Sequence, residues 1–248
     1  MSHQARLEAV RRQLTVLQGA AGRPVVPFGD ARVDACLPGG GLPLGCWHEA
    51  TGEGMEIETA VAAAAFVALL VAPLSRRGEV VWILRRDDLY APGLAALGFP
   101  AERLIQVCVR DEAEALAALE DALGAAGVVA AIGEVETPDL VAGRRLQLAC
   151  ERHGATGFVV RRRLFGGEGL RGGSAATTRW RVAAAVSEPA PGEPGLGLPR
   201  WRTSLERCRG GRLGAWIMEQ SDGTHPMRVV ADLGDRQLDP PQSFRLAG

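Results

Sequence analysis

Lysine is missing from this chain: all 28 basic residues among its 248 are arginine. Without a lysine amine there is no Schiff-base nucleophile, which excludes lysine-dependent carbonyl chemistry and pyridoxal-phosphate catalysis. The phosphate-binding lysine of a Walker A loop is excluded with it. All-arginine usage beside high alanine and glycine points to a GC-rich coding sequence, so the bias need not be functional, but the chemical exclusion holds. Five cysteines (Cys36, Cys46, Cys108, Cys150, Cys208) form no CxxC pair and leave an odd count. No run reaches the ~18 uncharged apolar residues that span a bilayer. The opening MSHQARLEAVRRQL lacks the apolar centre of a secretory signal. Together these absences predict a cytoplasmic protein with reduced thiols and no membrane contact.

What is present is an ordinary globular balance, 47% apolar and 23% charged residues in 26.2 kDa. A chain of this length buries roughly 70–75% of its unfolded surface without a disulfide or metal. Leu7, Val10, Leu14 and Leu17 recur at helical spacing, which predicts an amphipathic arm over 1–20. Glycine and proline punctuate the following stretch and predict a linker over 21–35. Such an arm needs an apolar groove, on its own body or on a neighbour's, and the pattern leaves both open.

A core over 36–235 follows, then a tail over 236–248. Short apolar runs at Cys46–Ala50, Glu79–Leu84, Leu104–Val109, Val128–Ile132 and Gly157–Arg161 read as strands. Helical patterns fall at Thr59–Val71, Glu112–Ala125 and Leu140–Arg152. This alternation predicts an α/β fold with a mainly parallel sheet flanked by helices. Past Arg163 the pattern changes to a glycine-rich loop and strands at Arg179–Val186, Trp201–Arg207, Gly214–Glu219 and Met227–Ala231. These predict an antiparallel extension from about residue 178. Charge is uneven as well. Residues 161–212 carry a net +7, leaving −8 on the rest of a chain whose total is −1. A surface for a polyanion or acidic partner, and strand edges guarded by arginine, both remain open readings.

The span LGCWHEATGEGMEIETAVAAAAFVALL has the order strand, glycine-containing loop, buried helix, as a phosphate-binding loop does. Anchoring the first glycine of G-x-x-x-x-G-K-[ST] at Gly52 puts Ile57 at the second glycine, Glu58 at the lysine and Thr59 at the hydroxyl. Ile57 crowds the place where backbone must wrap phosphate, and Glu58 reverses the charge that should meet it. The loop is therefore expected not to bind ATP, and no cofactor is implied.

Six blocks in this order and spacing carry a resemblance: LPGGGLPLGCWHE (37–49), APGLAALGFPAERLI (91–105), VVAAIGEV (128–135), RRLQLACERHG (144–154), TTRWRV (177–182) and PRWRTSLERCRGG (199–211). Over nearly its whole length the chain resembles the ImuA family of mutagenesis accessory proteins, within the RecA-like recombinase superfamily. The resemblance implies a RecA-like core without ATPase function. Arg86 then stands where recombinases keep a catalytic glutamate, and Gly133 where the Walker B strand ends. Glu134, shifted by one, is expected on the other face of that strand. The family further implies a non-catalytic accessory protein of an error-prone translesion synthesis complex in the SOS response to DNA damage. It would dock an ImuB-like inactive Y-family polymerase, through it an error-prone C-family DNA polymerase, and contact the RecA recombinase.

Arg161, Arg162 and Arg163 enter a glycine-rich loop whose recombinase counterpart meets single-stranded DNA, and with Arg171, Arg179 and Arg181 they are candidates for contact with DNA or with a protein partner. Trp180 is placed to stack on a base or a partner side chain. By the same resemblance Trp201, Arg202, Arg207, Arg209 and Arg212 are candidates for the partner interface, although Trp201 and Trp216 also suit a core. Leu7, Val10, Leu14 and Leu17 are candidate arm contacts for self-association. The histidines are scattered without metal-ligand spacing, so His48 reads as structural and no metal is expected. Asp87 and Asp88 read as a solvated loop pair, and no serine sits in a nucleophile elbow. Two alternatives stay in view: a SulA-like inhibitor binding the tubulin-like division protein, and a divergent ATPase using Arg86 or Glu134.

Overall fold

In a computed structural model, the described residues are 22–53, 56–162, 174–189, 192, 194–221, 225 and 227–233. The apolar runs form nine strands of one sheet, β3 (Trp47–Gly52), β4 (Glu79–Leu84), β5 (Leu104–Cys108), β6 (Val128–Val135), β7 (Thr156–Arg161), β8 (Thr178–Ala185), β9 (Arg200–Cys208), β10 (Gly214–Gln220) and β11 (Met227–Asp232). Their order is β11-β10-β9-β8-β3-β7-β6-β4-β5. Every pair from β5 to β8 is parallel, and β8-β9, β9-β10 and β10-β11 are antiparallel. The antiparallel extension thus starts one strand later than expected: β8 runs parallel to β3 and only its far edge meets an antiparallel neighbour.

Each sheet face is covered because parallel strands leave apolar residues on both. Helix α2 (Glu56–Ser75) has the apolar circumference of a buried helix. Phe66, Leu69 and Leu70 pack with Trp82, Ile132, Phe158 and Trp180 on one face. Helices α4 (Glu112–Gly124) and α5 (Leu140–His153) cover the other through Leu119, Leu123 and Leu146 against Trp47, Ile83 and Val159. Local chemistry sets their ends. Asp111 accepts a hydrogen bond from the Glu114 N–H at 2.9 Å, and Asp139 one from Ala142 at 2.6 Å. Gly154, at φ 78°, closes α5 in the left-handed conformation.

The expected linker is partly structured. Val25–Val26 (β1) pairs with Leu42–Pro43 (β2), Ala31–Asp34 forms a short helix α1, and Phe28 and Val33 enter the core on the α2 side. Its prolines and glycines hid four apolar residues, Val25, Val26, Phe28 and Val33, that find partners only in the folded state. A second short helix, α3 (Ala91–Ala96), follows β4. The Gln220 amide at the end of β10 donates to the Ala96 carbonyl of α3, at 2.9 Å. The predicted arm, with Leu7, Val10, Leu14 and Leu17, lies outside the described residues, as does the tail. Among the described residues no helix is long and apolar enough to cross a membrane.

Candidate functional site

The carboxyl ends of the parallel strands are where ligands bind open α/β sheets, and most of the candidate residues gather there. Strand β3 ends at Gly52 and α2 begins at Glu56, the expected order of strand, loop and helix. The side chains of Ile57, Glu58 and Thr59 lie outside the description. Arg86 is exposed just past the end of β4.

Strand alternation puts Gly133 and Glu134 on opposite faces of β6, and it is Glu134 that takes the α2 side. Ala130 and Ile132 pack on the α2 side, so Glu134 faces α2 as well. Gly133 is the residue turned away: a Cβ there would meet Leu119 Cδ2 of α4 at 2.8 Å. Glu134 does not stand open to a ligand, however. Its Oε2 accepts from Arg162 Nη1 at 3.0 Å, and the same guanidinium forks onto both oxygens of Asp88 at 2.8 Å each. Asp88, expected as a solvated loop residue, is thereby tied to the ends of β6 and β7. The Arg162 hydrogen bonds hold the Asp88 carboxyl below its ordinary range. Burial outweighs the same attraction at Glu134 and pushes it up to about 7.

A second cluster occupies the opposite face. Glu49 on β3, its side chain fully buried, meets Arg161 Nη1 at 3.0 Å and Arg179 Nε at 3.2 Å. Arg161 Nε also donates to the Glu136 carbonyl at 2.9 Å. Sequence reasoning did not single out Glu49 as an arginine partner. The available signal was a carboxylate inside the apolar strand CWHEA, which needs a buried cation.

These contacts revise the predicted DNA-facing set. Arg161 and Arg162 keep only 8% and 10% of their side-chain surface, and each is engaged with carboxylate. A nucleic-acid phosphate would have to displace a protein anion from each. Arg181 pairs with Glu206 across the β8–β9 ladder. Trp180 is 1% exposed and packs on Phe28, Phe66 and Trp216 at centroid distances of 5.5, 5.3 and 6.2 Å, so stacking on a base is closed to it. Arg163 and Arg171 lie outside the described residues.

Among the partner candidates, Trp201 and Trp216 are core residues on the α2 side. Arg202 reaches Glu53 at 2.8 Å, and Arg207 bonds the Ser174 carbonyl. Arg209 and Arg212 bond the carbonyls of Ala175 and Ala35 at 3.1 and 3.0 Å. His48 is buried between Thr178 Oγ1 (2.8 Å) and the Pro43 carbonyl (2.9 Å), the structural role expected of it. Burial pushes the Cys150 and Cys208 thiols up to about 12, which makes both poor nucleophiles. Among the described residues no group of three His, Cys, Asp or Glu side chains converges as a metal site would require.

No family model matches the chain. The crystal structure of the RadB recombinase superposes with a TM-score of 0.55 at 15% identity, covering 82% of this chain and 99% of that one, and shows the shared RecA-like fold. Protein ImuA of Caulobacter vibrioides, from strains NA1000 / CB15N and ATCC 19089 / CIP 103742 / CB 15, is 55% identical over 235 residues. The match covers 91% of this chain and 96% of each relative. With more than half of the aligned residues identical over nearly the full length of both, the chain belongs to the ImuA family.

Proposed function

We propose that the protein is a non-catalytic docking platform in a DNA-damage-induced mutagenesis complex. The observation that carries this reading is a nucleotide-type loop in a chain without lysine, within a family whose name is tied to mutagenesis. Phosphoryl transfer depends on cations placed at the β- and γ-phosphates. Glu58 occupies the lysine position and Arg86 the glutamate position, and the Glu134 carboxylate is bound by Arg162. A γ-phosphate then meets a carboxylate in place of the loop lysine, so the fold does not cycle with ATP and acts by holding partners. Those partners are an ImuB-like inactive Y-family polymerase, through it an error-prone C-family polymerase acting in translesion synthesis, and the RecA recombinase. The N-terminal arm serves self-association. Contact with single-stranded DNA falls to Arg163 and Arg171, because Arg161 and Arg162 are spent on internal pairs.

The test is an affinity pull-down of the tagged full chain from DNA-damaged cells, with the retained proteins identified. Recovery of a Y-family-like protein, an error-prone polymerase or the recombinase supports the platform. Recovery of the division protein without any polymerase component overturns it in favour of the SulA-like alternative.

A further inference from the structure

A cleft of about 730 Å³ opens between α2, the α3 segment and neighbouring ends of β8, β9 and β10. Its walls are apolar: Val61 and Ala65 of α2, Leu94 of α3 with Leu97 at its end, and Trp201 of β9. At its mouth stand Val61, 76% exposed, and Tyr90, the chain's one tyrosine, 72% exposed. At one end its lining is ionic, with Asp88, Arg162 and Glu134. Single exposed apolar residues are ordinary, but two large ones at the rim of a deep apolar cleft with a charged end are a recognition surface.

We propose that this cleft receives a short apolar segment of a partner protein that carries a basic side chain. Two observations select that occupant. A ligand confined inside would leave Val61 and Tyr90 in water, whereas a segment crossing the mouth covers both while an apolar side chain enters beside Leu94 and Trp201. The charge selects the basic residue. Arg162 is shared by two carboxylates, Asp88 and Glu134, and Asp88 keeps 44% of its side chain exposed towards incoming ligand. The other cationic side chain in the lining, Arg200, is held by Glu219 at 2.6 Å and Glu188 at 3.1 Å. An incoming arginine or lysine meets the half-exposed Asp88 carboxylate, which its arginine neighbours keep ionised, and an incoming acid finds the guanidinium groups of Arg162 and Arg200 engaged. This inference rests on the docking-platform reading and gives it a place on the fold.

The probe is a random twelve-residue peptide phage library panned on the full chain, followed by fluorescence titration of the enriched peptides. The expected consensus is an apolar anchor with a nearby arginine or lysine. Val61→Glu and Tyr90→Ala, both on exposed side chains, are expected to weaken those peptides about tenfold, the loss of one anchor contact. Asp88→Asn is expected to weaken a basic peptide up to about fivefold, and its neutral analogue not at all. No enrichment, an acidic consensus, or binding indifferent to all three substitutions overturns the proposal. So does a peptide of residues 4–18 of this chain that binds at least as tightly as the enriched peptides, which assigns the cleft to the chain's own arm. The pull-down repeated with Val61→Glu separates the two levels. Undiminished recovery of mutagenesis partners leaves the platform standing and refutes the cleft; no recovery by either form refutes the platform.

Discussion

Single side chains here changed meaning once their neighbours were in place, and Trp180 is the clearest case. In the sequence it sits between two arginines, as a base-stacking residue would. In the fold it is the hub of an aromatic cluster with Phe28, Phe66 and Trp216. Trp180→Ala is therefore expected to cost ~3–5 kcal/mol of stability, measured by urea unfolding. Unchanged stability with lost single-strand affinity would return it to the DNA-facing set. Glu134 gives a prediction with a pH sign. Burial raises its folded pKa to about 7, above the ordinary 4.5, so the folded chain holds a proton that the unfolded chain has released. Its contribution to stability is complete below about pH 4.5 and is lost as pH rises through about 7. Glu134→Gln cannot ionise. Its melting temperature is expected to gain on the parent by about a few degrees between pH 5 and pH 8. An offset independent of pH would show that Arg162 and Asp88 compensate the charge fully.

At the scale of elements, the pattern that marks the strands and helices is apolar periodicity, legible because the central parallel strands are covered on both faces and the antiparallel ones alternate buried with exposed residues. The apolar pattern predicts Glu79–Leu84 to the residue, and α4 and α5 to within one. What periodicity cannot show is a short element made by long-range contact. β1 has two residues and exists because Val25 meets Pro43; α1 exists because Asp30 caps it and Val33 finds the core. Facing is the other element-scale lesson. Gly133 looked like the lost end of a catalytic strand, but its smallness has a packing reason in Leu119. Gly133→Ala is expected to destabilise by about 1–3 kcal/mol through overpacking. The double variant with Leu119→Ala should cost less than the sum of the two singles. Strict additivity in chemical denaturation would refute the contact.

Across the whole molecule, the charge asymmetry of the sequence is largely cancelled in space. The basic third meets the acidic body at Arg161–Glu49, Arg162–Asp88, Arg162–Glu134 and Arg202–Glu53, and its own acids serve Arg181 and Arg200. Pairs as buried as Glu49 with Arg161 are costly to break, since the survivor keeps an unpaired charge in the interior. This distribution favours arginine as an internal strut over arginine as a polyanion cradle. The candidate nucleotide site makes a whole-molecule prediction as well. A micromolar site saturated by millimolar ATP and Mg²⁺ would add ~4 kcal/mol of stability. Thermal melting is expected to show no ATP-dependent shift, and a shift of several degrees would restore the divergent-ATPase alternative.

The sequence alone determined the layer order, the parallel core and the missing cation of the loop, because these follow from local periodicity and from the presence or absence of a residue type. It also carried the family resemblance, since ordered blocks need no coordinates. Tertiary structure decided which arginines are free to act, which face Glu134 occupies, and that an apolar cleft opens over α2. Each of those is a relation between residues dozens of positions apart, and an ion pair or a cavity wall leaves no period in the chain.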